Sequence, residues 1–444
     1  MSEFSFGSVS PVALSGSMRD FRVPKGADLL ARVDGFYQWQ NERRRQGVWP
    51  YSRAAVTGPR TTVIAQDDSG RAMNGVNFGS QDYLSLSAHP AVKAAAIETA
   101  EKFGVHSAGS AALSGNSALT LALERRIADF MGTEHVVLYP TGWAAGYGAI
   151  RGLVRSADHI VIDALAHTCL QEGANAATRN IYMHRHLDIA HCRHWLQAIR
   201  AKDTENGVMI VTEGLFSMDS DTPDLRALQN LAREFNATLL VDVAHDLGAL
   251  GPGGRGHIAA QGMLGQIDLV MGSFSKTFAS NGGFIATGSR AVKEYLKFYS
   301  PSTTFSNALS QVQAAVALKA FEIVDSAEGD ALRKSLMDNV LDLRAKLKAH
   351  DLEVYGDPSA IVAVKMGSEG LARLVSRRLH EAGLFANLVE YPAVGKGAAR
   401  FRLQVMAEHT QANIARAADI MARCRIEAQA ELAEVQRPRL QQVA

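Results

Sequence analysis

The chain has 444 residues, 47% of them hydrophobic and 20% charged, with 46 Lys and Arg against 45 Asp and Glu for a formal net charge of +1. That size holds two domains and a full cleft, and the balanced charge excludes an overall field favouring nucleic acid or an anionic membrane, leaving small metabolites as the expected partners. Cys169, Cys192 and Cys424 stand far apart, without CxxC or Cys/His ligand spacing, which points to a reducing cytoplasm and to no metal site.

Met1 to Met18 is rich in Ser and Gly and lacks the basic start and apolar core of a secretory signal. No stretch approaches the roughly 20 apolar residues of a membrane span, so only peripheral membrane contact stays open. Leu29, Leu30, Val33 and Phe36 have helical spacing within Ala27 to Arg45, so residues 1–60 read as an arm with a bracing helix. Thr61 to Ile64 and Met73 to Phe78 flank Asp67-Asp68-Ser69-Gly70, a polar turn that predicts a hairpin. From His89 to about Asp268, helical stretches alternate with short apolar runs: Val136 to Leu138, Ile160 to Ile162, Val208 to Val211 and Leu239 to Val241. Such alternation predicts an α/β fold, a mostly parallel sheet with helices on both faces, in a large domain over 61–300.

Past Pro301 come helical runs at Leu309 to Ile323 and Leu332 to Ala349, strand-like Ala360 to Val364, a helix from Leu371 to Ala382 and strand-like Phe401 to Val405. A smaller α+β domain over 301–424 fits them, with residues 425–444 as a charged, Gln-rich tail or frayed helix. There is no internal repeat.

The chemistry gathers around Asp242-Val243-Ala244-His245 and Gly272-Ser273-Phe274-Ser275-Lys276. Asp242 follows the apolar run Leu239 to Val241, and Lys276 follows Leu269 to Met271, so two adjacent parallel strands would aim both side chains into one crevice at their carboxyl ends. An amine able to form a Schiff base beside a carboxylate able to keep a pyridine nitrogen protonated is what pyridoxal phosphate requires. Taken singly, Asp242 also reads as a helix cap and Lys276 as a surface lysine. Thr141-Gly142-Trp143-Ala144 opens a helix after a strand, so the Gly142 and Trp143 amides are candidates for holding a phosphate.

Several further segments occur in one order: Asp163-Ala164-Leu165-Ala166-His167-Thr168, Glu213-Gly214-Leu215-Phe216-Ser217-Met218-Asp219, Thr304-Phe305-Ser306-Asn307 and Arg400-Phe401-Arg402. Together with the lysine segment they resemble the α-oxoamine synthases, fold-type I pyridoxal-phosphate enzymes, from about Trp49 to Thr410. The resemblance implies that Lys276 binds the cofactor aldehyde, Asp242 pairs with the pyridinium nitrogen, His245 reaches the phenolic oxygen and His167 stacks on the ring. It also implies that Ser217 sits near the phenolic oxygen, that Ser273 and Ser275 serve the phosphate, and that Ser306 reaches the phosphate of the other subunit in a homodimer with shared sites. Arg402 would bind the amino-acid carboxylate, since a bidentate arginine fixes which α-carbon bond stands perpendicular to the ring.

The implied reaction joins an amino acid to an acyl-CoA and releases carbon dioxide and coenzyme A. Trp49 to Arg53 and Gly265 to Asp268 lean towards members that use serine and a long acyl chain, whereas Phe305 to Leu309, Tyr391-Pro392 and Lys396-Gly397 lean towards members that use glycine, and the biotin-pathway members of the family are a third alternative. Three departures stand out. Ser80-Gln81-Asp82-Tyr83 carries Gln81 where Asn is usual beside the substrate, with Tyr83 also expected there; Ala111 replaces an Arg; and Asp246 either tunes His245 or faces solvent. Non-catalytic partner subunits lose the lysine, which this chain keeps, and an aminotransferase would need no acyl-CoA.

Overall fold

The computed structural model describes residues 9–67 and 70–441; the first eight residues, Asp68 and Ser69 at the tip of the expected hairpin, and the last three residues lie outside the described ones. The chain divides into two units, Gln81–Leu336 and a discontinuous one of Met1–Ser80 with Met337–Ala444.

These limits differ from the expected 61–300 and 301–424, for a reason visible in the strand pairing. The hairpin forms, Thr62–Gln66 running antiparallel to Ala72–Phe78. Ala72–Phe78 then pairs in parallel with Leu384–Val389, placing Leu384 opposite Val76, and so joins the C-terminal sheet. On the other side, the Gln311–Val324 helix packs on the Pro90–Phe103 and Ala118–Met131 helices and belongs with them. Of the two expectations for residues 425–444, tail or frayed helix, the described part continues one helix, Gln411–Gln441.

In the Gln81–Leu336 unit, the seven-stranded sheet has the order His135–Tyr139, Gly283–Thr287, Leu269–Ser273, Thr238–Asp242, Val208–Glu213, His159–Asp163, Ile181–His184. All neighbours are parallel except Gly283–Thr287, which runs against both strands beside it. Val208–Glu213, His159–Asp163 and Leu269–Ser273 are buried at every position, because helices cover both faces. One face packs Ile160, Val211, Leu240 and Met271 against Ala145, Ala149 and Ile150 of the Gly142–Leu153 helix. The register sets Glu213 beside Asp242 and Asp242 beside Met271, aligning the carboxyl ends of these strands.

The discontinuous unit holds a second seven-stranded sheet, in which Ala399–Gln404 lies between Leu384–Val389 and Ile361–Gly367. Its bracing helix begins only at Asp34 and runs to Arg45; Leu29 and Leu30 precede it and are exposed, so Phe36, Trp39 and Arg43 supply its apolar contacts instead. Buried Arg43 and Arg373 flank Glu390, and Arg373 also donates to the carbonyls of Leu14 (2.6 Å) and Gly16 (2.7 Å). Those bonds tie the N-terminal arm down. Among the described residues no helix is long and apolar enough to cross a membrane.

Candidate active site

At the carboxyl ends of the parallel strands a cavity of about 180 Å³ brings together eight of the expected site residues: Gly142, Trp143, His167, Asp242, His245, Ser273, Ser275 and Lys276. Each comes from a strand end, the loop just after it or, for Gly142 and Trp143, the first turn of the helix that follows, where parallel sheets leave a crevice. Asp242 closes the Thr238–Asp242 strand and accepts from the Ala244 amide at 2.9 Å, a local turn bond that fixes its carboxylate. His167 caps the Thr168–Ala177 helix, its Nδ1 accepting from the Cys169 amide at 3.2 Å, so the imidazole is oriented by its own backbone.

The phosphate end is assembled from two elements. The Gly142–Leu153 helix starts after Thr141, whose hydroxyl accepts from the Ala144 amide at 3.0 Å. The first amides of a helix have no intrahelical acceptor and favour an anion. The hydroxyls of Ser273 and Ser275 lie 2.8 Å apart in the same cavity. A side chain at Gly142 would put its Cβ 2.3 Å from the Ser273 hydroxyl, so only glycine keeps this cradle open.

Two carboxyls dominate the electrostatics. Burial pushes Asp242 above the ordinary carboxylate range, while the charges of His167 and Lys276 pull it down. Glu213 is raised well above its ordinary value, first by burial and then by the negative charge of Asp242. Glu213, part of the Glu213 to Asp219 motif, is a site residue beyond those expected from the sequence. Its carboxyl accepts from the His167 amide at 2.6 Å and lines the cavity with Cys169. Its position just past the apolar run Val208 to Val211, one residue beyond Thr212, is the available signal.

Tyr83, expected beside the substrate, is fully buried, and its hydroxyl lies 2.9 Å from His245 Nδ1. Among the described residues the cavity wall does not include Gln81, Ser217 or Ser306. Arg402 lies in the sheet of the discontinuous unit, opposite Ala363 and Asn387. Its neighbour Arg400 sits over the Tyr355 ring at 4.8 Å. Asp246 does not face solvent: it is fully buried, and its Oδ2 accepts from the His257 amide at 2.7 Å.

The residues present fit pyridoxal phosphate: an amine, a buried carboxylate, a flat imidazole and a cradle of hydroxyls at a helix N-terminus. Comparison with known proteins agrees. The profile of the family Aminotransferase class I and II matches residues 73–421. The 8-amino-7-oxononanoate synthase of Geobacter metallireducens is 36% identical over 84% of this chain and 90% of its own length. A 4-hydroxy-2,2'-bipyrrole-5-methanol synthase of Serratia sp. is 30% identical over 91% of this chain, which spans only 62% of that protein. Among solved structures, serine palmitoyltransferase from S. paucimobilis with a bound PLP–myriocin aldimine superimposes with a TM-score of 0.84 at 28% identity, over 91% of this chain and 100% of the other.

Proposed function

Because the chain belongs to the class I and II aminotransferase family, within its α-oxoamine synthases of fold type I, and is a pyridoxal-phosphate enzyme, we propose that it condenses serine with a long-chain acyl-CoA, releasing carbon dioxide and coenzyme A. The observation that carries the chemistry is the convergence of Lys276, Asp242, His167 and the Ser273 cradle in one cavity. The choice of serine leans on the near full-length agreement in fold with serine palmitoyltransferase.

When bound, pyridoxal phosphate supplies an electron sink for negative charge at the substrate α-carbon. Lys276 Nζ would hold the cofactor aldehyde and, when free, would take the substrate α-proton. Asp242 would keep the ring nitrogen protonated, and Glu213 steadies His167 by accepting from its backbone amide. Tyr83 holds His245 by its Nδ1, and the imidazole would reach the phenolic oxygen. Arg402 binds the substrate carboxylate, while Arg400 is engaged over Tyr355. A homodimer completes the site through Ser306. The loop that bears Ser306 is bridged to Ser110, and the pair exposes Leu113 and Phe305, large apolar groups suited to a subunit face.

A second reading, alanine with a different acyl-CoA, is favoured by the sequence identity to 8-amino-7-oxononanoate synthases. The test is a titration of the cofactor-loaded protein with glycine, alanine and serine, each followed by acyl-CoAs of increasing length, reading free thiol and carbon dioxide. Thiol release confined to serine with long acyl chains supports the first reading. Release with alanine supports the second, and amino-group transfer to a keto acid without acyl-CoA overturns both.

A further inference from the structure

His186 lies outside the cavity wall, in the turn after the Ile181–His184 strand, yet both of its ring nitrogens meet carboxylates. Nδ1 is 2.9 Å from Asp163 Oδ1, and Nε2 is 3.1 Å from Asp221 Oδ2. Both nitrogens must donate to satisfy two carboxylates, which makes the ring an imidazolium. Its ring also stands edge-on to Phe216, with centroids 4.5 Å apart.

The two carboxylates belong to different loops. Asp163 ends its strand and starts the loop to His167, and it also accepts from the Leu165 amide at 2.8 Å and the Leu187 amide at 3.0 Å. Asp221 ends the loop that begins at Glu213 and carries Ser217, and its carbonyl accepts from the Phe216 amide at 2.9 Å. The same loops touch again inside the site, where Glu213 receives the His167 amide.

We propose that His186 is a positioning residue, a cationic bridge that holds the loop bearing His167 against the loop bearing Glu213 and Ser217. The bridge persists across the physiological range: burial opposes the charge, but the bonds to Asp163 and Asp221 raise the imidazole to about 10. The inference rests on the cofactor assignment and is independent of which amino acid or acyl-CoA is used.

The test compares His186→Gln, Asp221→Asn and the double variant, reading pyridoxal-phosphate affinity and the induced circular dichroism of the bound cofactor well below the melting temperature. His186→Gln donates to one carboxylate only; its affinity is expected to fall about tenfold, with a weakened dichroic band. In the double variant, the carboxamide introduced in place of Asp221 can donate to the introduced glutamine carbonyl and restore a neutral bridge, so part of the loss is recovered. An affinity within twofold of the unmodified protein, or a double variant worse than His186→Gln, overturns the proposal. Should His186→Gln fail to fold, Asp221→Ala removes only the outer arm and is expected to cost about threefold in affinity; no change in it would equally overturn the proposal.

Discussion

The two ends of the parallel sheet in the Gln81–Leu336 unit differ in a way that separates space from chemistry. At the amino ends lies a cavity of about 540 Å³, lined by Asp158, His159, Asp268 and Gln266; at the carboxyl ends the cavity is about 180 Å³. The larger one is chemically quiet. Asp268 accepts from the Leu239 amide (2.8 Å) and Gln229 (3.0 Å), and Asp158 from the Arg155 (2.7 Å) and Gly207 (2.8 Å) amides, so these carboxylates serve as local caps. At the smaller cavity, Glu213 and Asp242 are buried beside one another and Lys276, and both are pushed above the ordinary range. A concentration of unsettled charge, and not volume, marks the functional end.

That contrast is sharpest at Lys276. Lys276→Ala should lower turnover by at least roughly 100-fold, the scale of a lost general base, in a steady-state thiol-release assay, while leaving far-UV dichroism unchanged. Gly142→Ala comes next: with its Cβ driven towards the Ser273 hydroxyl, cofactor affinity measured by fluorescence quenching should drop on the order of tenfold, with folding retained.

Asp246 tests whether the carboxyl end stores unfavourable charge. Burial, opposed by the charge and amide of His257, raises its carboxyl from 3.8 to about 6, and its Oδ1 has no hydrogen-bond partner among the described residues. A carboxyl raised in the folded state costs stability as pH climbs from the unfolded value through the folded one, and the cost is complete above about pH 6. Asp246→Asn should therefore raise the melting temperature at pH 8 by more than at pH 4, with an upper bound of about 3 kcal/mol. A pH-independent difference would contradict this. At the quiet end, Asp268→Ala should cost about 1–3 kcal/mol in denaturant unfolding by stranding the Leu239 amide, with cofactor affinity untouched. A loss of affinity there would erase the distinction between the two ends.

The site was legible in the sequence where function and strand pattern coincide. Asp242 and Lys276 follow unbroken apolar runs, and the structure places those runs side by side, as parallel-sheet logic requires. Glu213 is less legible, because Thr212 separates it from the apolar run Val208 to Val211. His186 gave no signal, because its meaning depends on Asp163 and Asp221, which only the folded loops bring to it. The unit boundaries were hidden for a similar reason. Pairing of Val76 with Leu384 is a long-range choice that local periodicity does not encode, and the antiparallel Gly283–Thr287 strand looks locally like any other buried strand. Leu29 and Leu30 had helical spacing yet sit before the helix, exposed, since spacing alone does not supply a face to pack against.

The most direct test of the central claim, that the chemistry resides at the carboxyl end of the sheet around Lys276, is borohydride reduction of the cofactor-loaded protein followed by peptide mapping. The account predicts a single pyridoxyl-modified lysine, Lys276. Modification at any other lysine, or a reduced protein that releases its cofactor unbound, would contradict it.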